Sequence, residues 1–200
     1  LKVSPSITSL RVDSPSDYGF RSEGSRAGIG GGAIVDYFFG QNYAFSSGLF
    51  LTGKGGTISY FDENANRTRQ QQKISLQYLE VPVTVKLFTN DIATDIKLYF
   101  QVGGSLNAAI AGKINGNKFY RDPGNNSVES KAYKHFILPD AALLGSFGAE
   151  YQLGQSTKLL AGISYKRGIL NIDRYFDNTR KFRDITLKNN EVALDLGIKF

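Results

Sequence analysis

The residues best equipped for chemistry in this chain are charges that recur on the polar stripe of alternating segments. Asp36, Glu80, Asp140, Glu150, Glu191 and Asp195 supply carboxylates there, and Lys86, Lys97, Lys166 and Lys199 supply amines. Side chains two residues apart share one face of an extended strand, so each segment presents its charges to a single side. Charges collected on one side either line a hydrated path for solutes or neutralise one another as buried pairs. An unpaired charge in a dry interior is costly, so pairing is the expected resolution, with Glu80 and Lys86 its leading members.

Other reaction chemistry is thin. The chain has one histidine, His135, and no cysteine, so the usual imidazole and thiolate ligand sets are missing and no metal site is expected. A hydrolase built on His135 would need a serine and a carboxylate, and no nucleophile elbow supports it. Gly28-Ile29-Gly30-Gly31-Gly32 is glycine-dense but opens no helix, so no phosphate loop and no cofactor is expected. Acidic loop residues have no calcium-loop spacing.

The elements that must position these charges are strands. Period-2 alternation predicts eight: Leu1 to Val12, Arg26 to Phe39, Tyr43 to Phe61, Lys73 to Thr89, Ile96 to Lys113, His135 to Leu153, Thr157 to Asn171 and Asn189 to Phe200. The last places Val192, Leu194, Leu196, Ile198 and Phe200 on one face and Glu191, Asp195 and Lys199 on the other. Connections alternate in length. Gly40-Gln41-Asn42, Asn90 to Asp95 and Gly154-Gln155-Ser156 are short and turn-rich, whereas Asp13 to Ser25, Asp62 to Gln72, Ile114 to Lys134 and Ile172 to Lys188 are long and polar.

An even strand number with short turns on one side and long loops on the other predicts an all-β, closed, eight-stranded antiparallel barrel of the outer-membrane type. It is an up-and-down meander, with residues 1–200 as one domain and both termini on the short-turn, periplasmic side. No run of 18 apolar residues occurs, which excludes a transmembrane helix and leaves transmembrane strands open. The absence of Met, with a strand beginning at Leu1, is read as the loss of an upstream segment such as a signal peptide.

Alternation alone cannot say which face is inside. Small residues decide it: Gly28, Gly30, Gly32, Gly103, Ser105, Ser146, Gly148, Gly162 and Gly197 lie on the polar face, where a narrow lumen needs room. Apolar-out, polar-in follows, with the lumen plugged by side chains. Tyr37, Phe39, Tyr43, Phe45, Phe88, Tyr151 and Phe200 fall near the short turns, and Tyr60, Phe61, Phe136 and Tyr165 toward the other rim, as interfacial girdles would.

Tyr78 to Lys86, YLEVPVTVK, resembles a hallmark of small outer-membrane barrels of Bacteroidota, the PorT-like or porin-family group of OmpA-like eight-strand barrels. In that group an aromatic-Leu-Glu-aliphatic-Pro-aliphatic run leads through a strand to a lysine. The resemblance extends over nearly the whole chain, including the glycine-rich second strand. Leu194, Leu196, Ile198 and Phe200 also resemble the signal read by the barrel-assembly machinery, although Gly197 departs from its usual glycine position.

A non-enzymatic structural or accessory subunit of an outer-membrane assembly is therefore expected, and the resemblance makes a type 9 secretion machine one such assembly. A small-solute or ion channel is the alternative, and a soluble lipocalin-like binder or a lipid hydrolase a remoter one. The net charge of +6 and the loop cations Arg174, Arg180, Lys181 and Arg183 point to outer-membrane lipid and lipopolysaccharide phosphates as partners, besides another envelope protein. Nucleic acid is not an expected partner.

Overall fold

The computed structural model of the chain describes residues 1–62, 67–121, 129–180 and 182–200. Its strands are β1 (Lys2–Asp13), β2 (Arg21–Gly24), β3 (Arg26–Phe38), β4 (Tyr43–Asp62), β5 (Thr68–Phe88), β6 (Ile96–Ile114), β7 (Phe119–Tyr120), β8 (Ser130–Lys131), β9 (Pro139–Gln152), β10 (Lys158–Gly168) and β11 (Thr186–Lys199), with one helical turn, α1 (Tyr175–Asn178). Eight of them pair antiparallel in the order β1-β3-β4-β5-β6-β9-β10-β11, and β11 pairs back onto β1, for example Val3↔Leu196. The ladder is a hydrogen-bonded ring. β2 continues it beside the far end of β4, and β7 and β8 form a small separate hairpin.

Several ends differ from the predicted ones. β5 begins at Thr68, not Lys73, because its ladder with β4 runs on to Asp62↔Thr68. β9 begins at Pro139, not His135, because residues Ala132–His135 close a 3-10 turn. β10 stops at Gly168, where the chain turns into the loop carrying α1.

The ring is solvated inside out relative to a water-soluble barrel. On β11, Val192, Leu194 and Leu196 are nearly half exposed, while the alternate Glu191, Ala193 and Asp195 are buried. Ile7, Ile29, Val35, Leu106 and Ile163 are each more than 60% exposed, whereas Lys54 and Lys86 are at 1%. The apolar band has a definite height. Outward residues turn polar beyond Ile7 on β1, Val192 on β11 and Leu79 on β5, and Ile7 and Val192 are register partners. From Val192 to Phe200 the chain spans about 26 Å along the strand, or about 20 Å along a barrel axis at the usual tilt, close to the apolar height of membrane barrels.

Three layers fill the inside. Nearest the short turns, Ala44, Phe88, Tyr99 and Leu160 pack together. The middle layer is charged. Toward the long loops, Leu10, Ile58, Tyr60, Ile74, Leu76 and Tyr78 from the strands meet Phe136, Ile172, Phe176 and Phe182 from the loops. The long connections, read from sequence as polar, thus carry an apolar lid. Phe20 stacks on Tyr60 with ring centroids 5.1 Å apart and meets Phe176 edge-on at 5.0 Å. Arg180 donates to Asp62 at 2.6 Å, both side chains being almost fully buried. The aromatic expectation divides accordingly: Tyr37, Phe39, Tyr43, Phe45, Tyr151, Tyr165 and Phe200 face outward, but Phe88, Tyr60 and Phe136 are core residues. Their positions lie on the inward parity of the strand or in the lid, which proximity to a strand end does not reveal.

Gly148 and Gly162, paired across β9 and β10, leave the space in which the Tyr99 ring lies against the wall. A Cβ at Gly162 would stand 2.2 Å from the Tyr99 hydroxyl. Gly162→Val should therefore cost about 2–3 kcal/mol of stability in detergent micelles, by analogy with overpacked cores, while the outward Ala161→Val stays within about 0.5 kcal/mol. Urea unfolding followed by gel mobility reads both, and equal costs would refute the inward assignment.

The lid carries its own titration. Asp173 accepts the N–H groups of Phe176 (3.2 Å) and Asp177 (3.1 Å) in the first turn of α1. Burial outweighs these bonds and pushes its carboxyl up to about 6. A raised folded-state value means that stability is fully present below the unfolded value, about 3.9, and is lost as pH rises through about 6. Hydrogen exchange of residues 172–187, corrected for intrinsic rates, should show stronger protection at pH 4 than at pH 7, and Asp173→Asn should flatten the difference. Protection that grows with pH would contradict this.

Candidate functional site

The charged middle layer resolves into two separate squares. In the one nearer the short turns, Asp36 of β3, Lys86 of β5, Glu150 of β9 and Lys199 of β11 face one another. Lys86 Nζ lies 2.7 Å from Glu150 and 3.5 Å from Asp36; Lys199 Nζ lies 2.6 Å from Asp36 and 2.9 Å from Glu150. Ser46 Oγ donates to Asp36 at 2.5 Å, and the Lys86 amine sits 4.1 Å from the Tyr99 ring centre. Two amines meet two carboxylates, so the square is neutral.

The second square has the same stoichiometry. Lys54 of β4 reaches Glu80 at 2.8 Å and Glu191 at 3.6 Å, and Lys166 of β10 reaches the same two at 2.5 and 3.2 Å. Asn107 accepts a hydrogen bond from Lys54 at 3.4 Å. An interior void near the squares measures only about 20 Å³, room for about one water.

Placed against the sequence expectations, Asp36, Glu80, Lys86, Glu150, Lys166, Glu191 and Lys199 all lie in the squares. Asp195 lies beside them, held by Lys2 at 3.3 Å and Ser4 at 2.6 Å. Asp140 is buried too, but its partner is neutral: Asn189 donates to it at 3.0 Å and to the Tyr78 hydroxyl at 3.1 Å. Lys97 is a correction. It stands one rung from the short turn, and its half-exposed amine turns out of the lumen to Asp91 at 3.7 Å.

Lys54 and Lys2 went unnoticed in the sequence, although both share the inward parity of their strands. Lys54 follows Ala44, Ser46, Gly48, Phe50 and Thr52 at alternate positions, and Lys2 precedes Ser4 and Ser6. Following the alternate positions through the glycines around Lys54, and back to the start of β1 at Lys2, finds them.

The other expected residues scatter. Leu194, Leu196 and Ile198 share the outward parity of β11, and Phe200 lies exposed just past its end. Arg174 and Arg183 are exposed on the lid. Arg180 is corrected: its buried bond to Asp62 removes it from the surface. Lys181 lies outside the described residues. His135 is buried in the 3-10 turn, with Ser130 Oγ 2.7 Å from its Nε2 and the Tyr175 ring 4.1 Å away. This Ser–His pair joins the β7–β8 hairpin to the lid.

A ring of eight strands with an apolar outer wall and a paired-charge interior has known counterparts. The family described as outer membrane protein beta-barrel domain matches residues 1–174. No curated protein sequence matches the chain. Among solved structures, Neisserial surface protein A (NspA) is similar at 14% identity and a TM-score of 0.51, over 100% of this chain and 96% of that one. OprG from Pseudomonas aeruginosa follows at 11% identity and 0.47, over 99% and 92%. Ail of Yersinia pestis gives 13% and 0.41, over 100% and 97%. The likeness to Neisserial surface protein A is one of fold. The chain belongs to the outer membrane β-barrel family, and its apolar wall is the surface on which such a protein sits integrally in the outer membrane.

Proposed function

We propose that this barrel conducts nothing and catalyses nothing in its lumen, and that it serves as a structural or accessory subunit, meeting partners through its outer wall and lidded face. The observation that carries this reading is the filled interior. Ions would need a continuous hydrated path, whereas the lumen holds an apolar lid, two neutral squares and a floor of Phe88, Tyr99 and Leu160. The turns between β3 and β4 and between β9 and β10, with both chain ends, then face the periplasm, and the lid faces outward. Arg174 and Arg183 are the lid cations offered to lipopolysaccharide phosphates. Another envelope protein is the expected partner. A type 9 secretion assembly is one setting for it, which rests on the resemblance of Tyr78 to Lys86 to the PorT-like group. The Leu194-to-Phe200 face is read as the surface presented to the assembly machinery.

Planar-bilayer recordings should show no unitary conductance, and steady open channels would overturn the reading. Purification in mild detergent should retain a stoichiometric envelope protein; a consistently solitary barrel would remove the accessory role while leaving the plugged lumen. Lys86→Met would leave Asp36 and Glu150 sharing Lys199 alone, a loss of about 3–5 kcal/mol by the measure of broken buried pairs. Urea midpoints in micelles test this, and a change under about 1 kcal/mol would show that the square is not a dry ion cluster.

A further inference from the structure

Where β3, β4, β5 and β6 cross from apolar to polar wall, the structure has a groove of about 960 Å³. The hollow follows from the residues. Ala27, Gly53, Ser75 and Ala111 put little or no side chain there. The ladder is also broken twice. β3–β4 pairing begins only at Gly30↔Thr52, and β6 carries Ile110 as an extra residue between the pairs Tyr78↔Ala109 and Gln77↔Ala111. A Cβ added at Gly53 would meet nothing nearer than a backbone oxygen at 3.8 Å, so the space before it is open.

The two ends of the groove differ in chemistry. Ile29, Leu51 and Ile110, each about half exposed or more, continue the lipid-facing wall. At the other end stand Lys113 and, from the β7–β8 segment, Lys118 and Lys131. The Ala132 N–H donates to the Lys118 carbonyl at 2.8 Å, which closes that segment on itself and keeps Lys118 and Lys131 together, and the segment meets β6 where Tyr133 lies against Gly112. Arg26 adds a fourth cation, and among the described residues no carboxylate lines the groove.

We propose that this groove binds a bilayer lipid whose phosphate carries uncompensated negative charge, with acyl chains along Ile29, Leu51 and Ile110 and the phosphate among Lys113, Lys118 and Lys131. An apolar floor with a cationic rim, set at the edge of the apolar band, matches an anionic amphiphile in the same orientation that a bilayer imposes. A free anion would leave the floor unused. The inference rests on the membrane-embedded reading of the outer wall and uses cations other than the lid pair Arg174 and Arg183.

The test is native mass spectrometry on the delipidated full chain in micelles, titrated with dioleoylphosphatidic acid, dioleoylphosphatidylcholine or inorganic phosphate. Phosphatidic acid should be retained at one per barrel, at least tenfold better than phosphatidylcholine. The triple variant Lys113→Gln, Lys118→Gln, Lys131→Gln should lose at least tenfold. Gly53→Val, which fills the hollow from a position with room for a side chain, should weaken retention similarly with every cation in place. Lys158→Gln, at the short-turn end of β10 and far from the groove, should leave it unchanged. Equal retention of both lipids, indifference to Gly53→Val, or binding of inorganic phosphate as tight as that of the lipid would overturn the proposal. A protein monodisperse without detergent would instead sink the membrane-embedded reading itself.

Discussion

An amine held 2.7 Å from a carboxylate, in a space with room for about one water, is stable only because the two have each other. Lys86 and Glu150 are such a pair, and the rest of the barrel follows from the need to make every such pair possible. Removing two ions from water costs several kcal/mol each, and only close geometry with further hydrogen bonds offsets it. Each square meets the condition by drawing one side chain from each of four strands, so that every amine touches two carboxylates. Four long side chains fit across the lumen partly because inward neighbours such as Thr52, Thr84, Gly148, Ser164 and Gly197 are small. The ring of eight is narrow enough to bring opposite walls within reach of a lysine.

The apolar layer above the squares answers a different constraint. β4 and β5 are the longest strands and run on past the polar boundary of the outer wall. Past that boundary the wall no longer faces lipid, and a ring open to water would flood the ion clusters. Phe20, Phe176 and Phe182 from the loops pack on the upward inner residues Ile58, Tyr60 and Ile74, and the Asp62–Arg180 pair fastens them. The lid keeps the dielectric low around the charges beneath it, and so helps make the pairing strong.

Much of this was legible in the chain because a ring of strands writes its inside and outside at a spacing of two. Strand number, alternating loop lengths and the inward direction of seven of the eight square-forming charges followed from that rhythm. Lys54 escaped because its neighbours Gly53, Gly55 and Gly56 blur the alternation around it. Lys97 deceived because parity gives the face but not the depth: one rung from the turn, an amine can swing to a water-exposed carboxylate. Phe176, Phe182 and Arg180 sit in a loop with no periodicity, and their burial depends on a cavity mouth made by strands far away in sequence. The groove beside Gly53 depends on a bulge and a pairing gap, which exist only once strands are in register.

Both squares draw on β11: Lys199 closes one and Glu191 the other. Without β11 the first square would hold one lysine against Asp36 and Glu150, a surplus of one negative charge. The second would hold Lys54 and Lys166 against Glu80, a surplus of one positive charge. A sheet lacking β11 would therefore carry a vertical dipole through its middle, and the pairing of β11 that seals the seam with β1 cancels it. A slip of β11 by one residue would send both charges out into hydrocarbon and leave the dipole standing. The register that seals the seam between β1 and β11 is thus the same one that neutralises both squares, so a misregistered barrel is penalised twice.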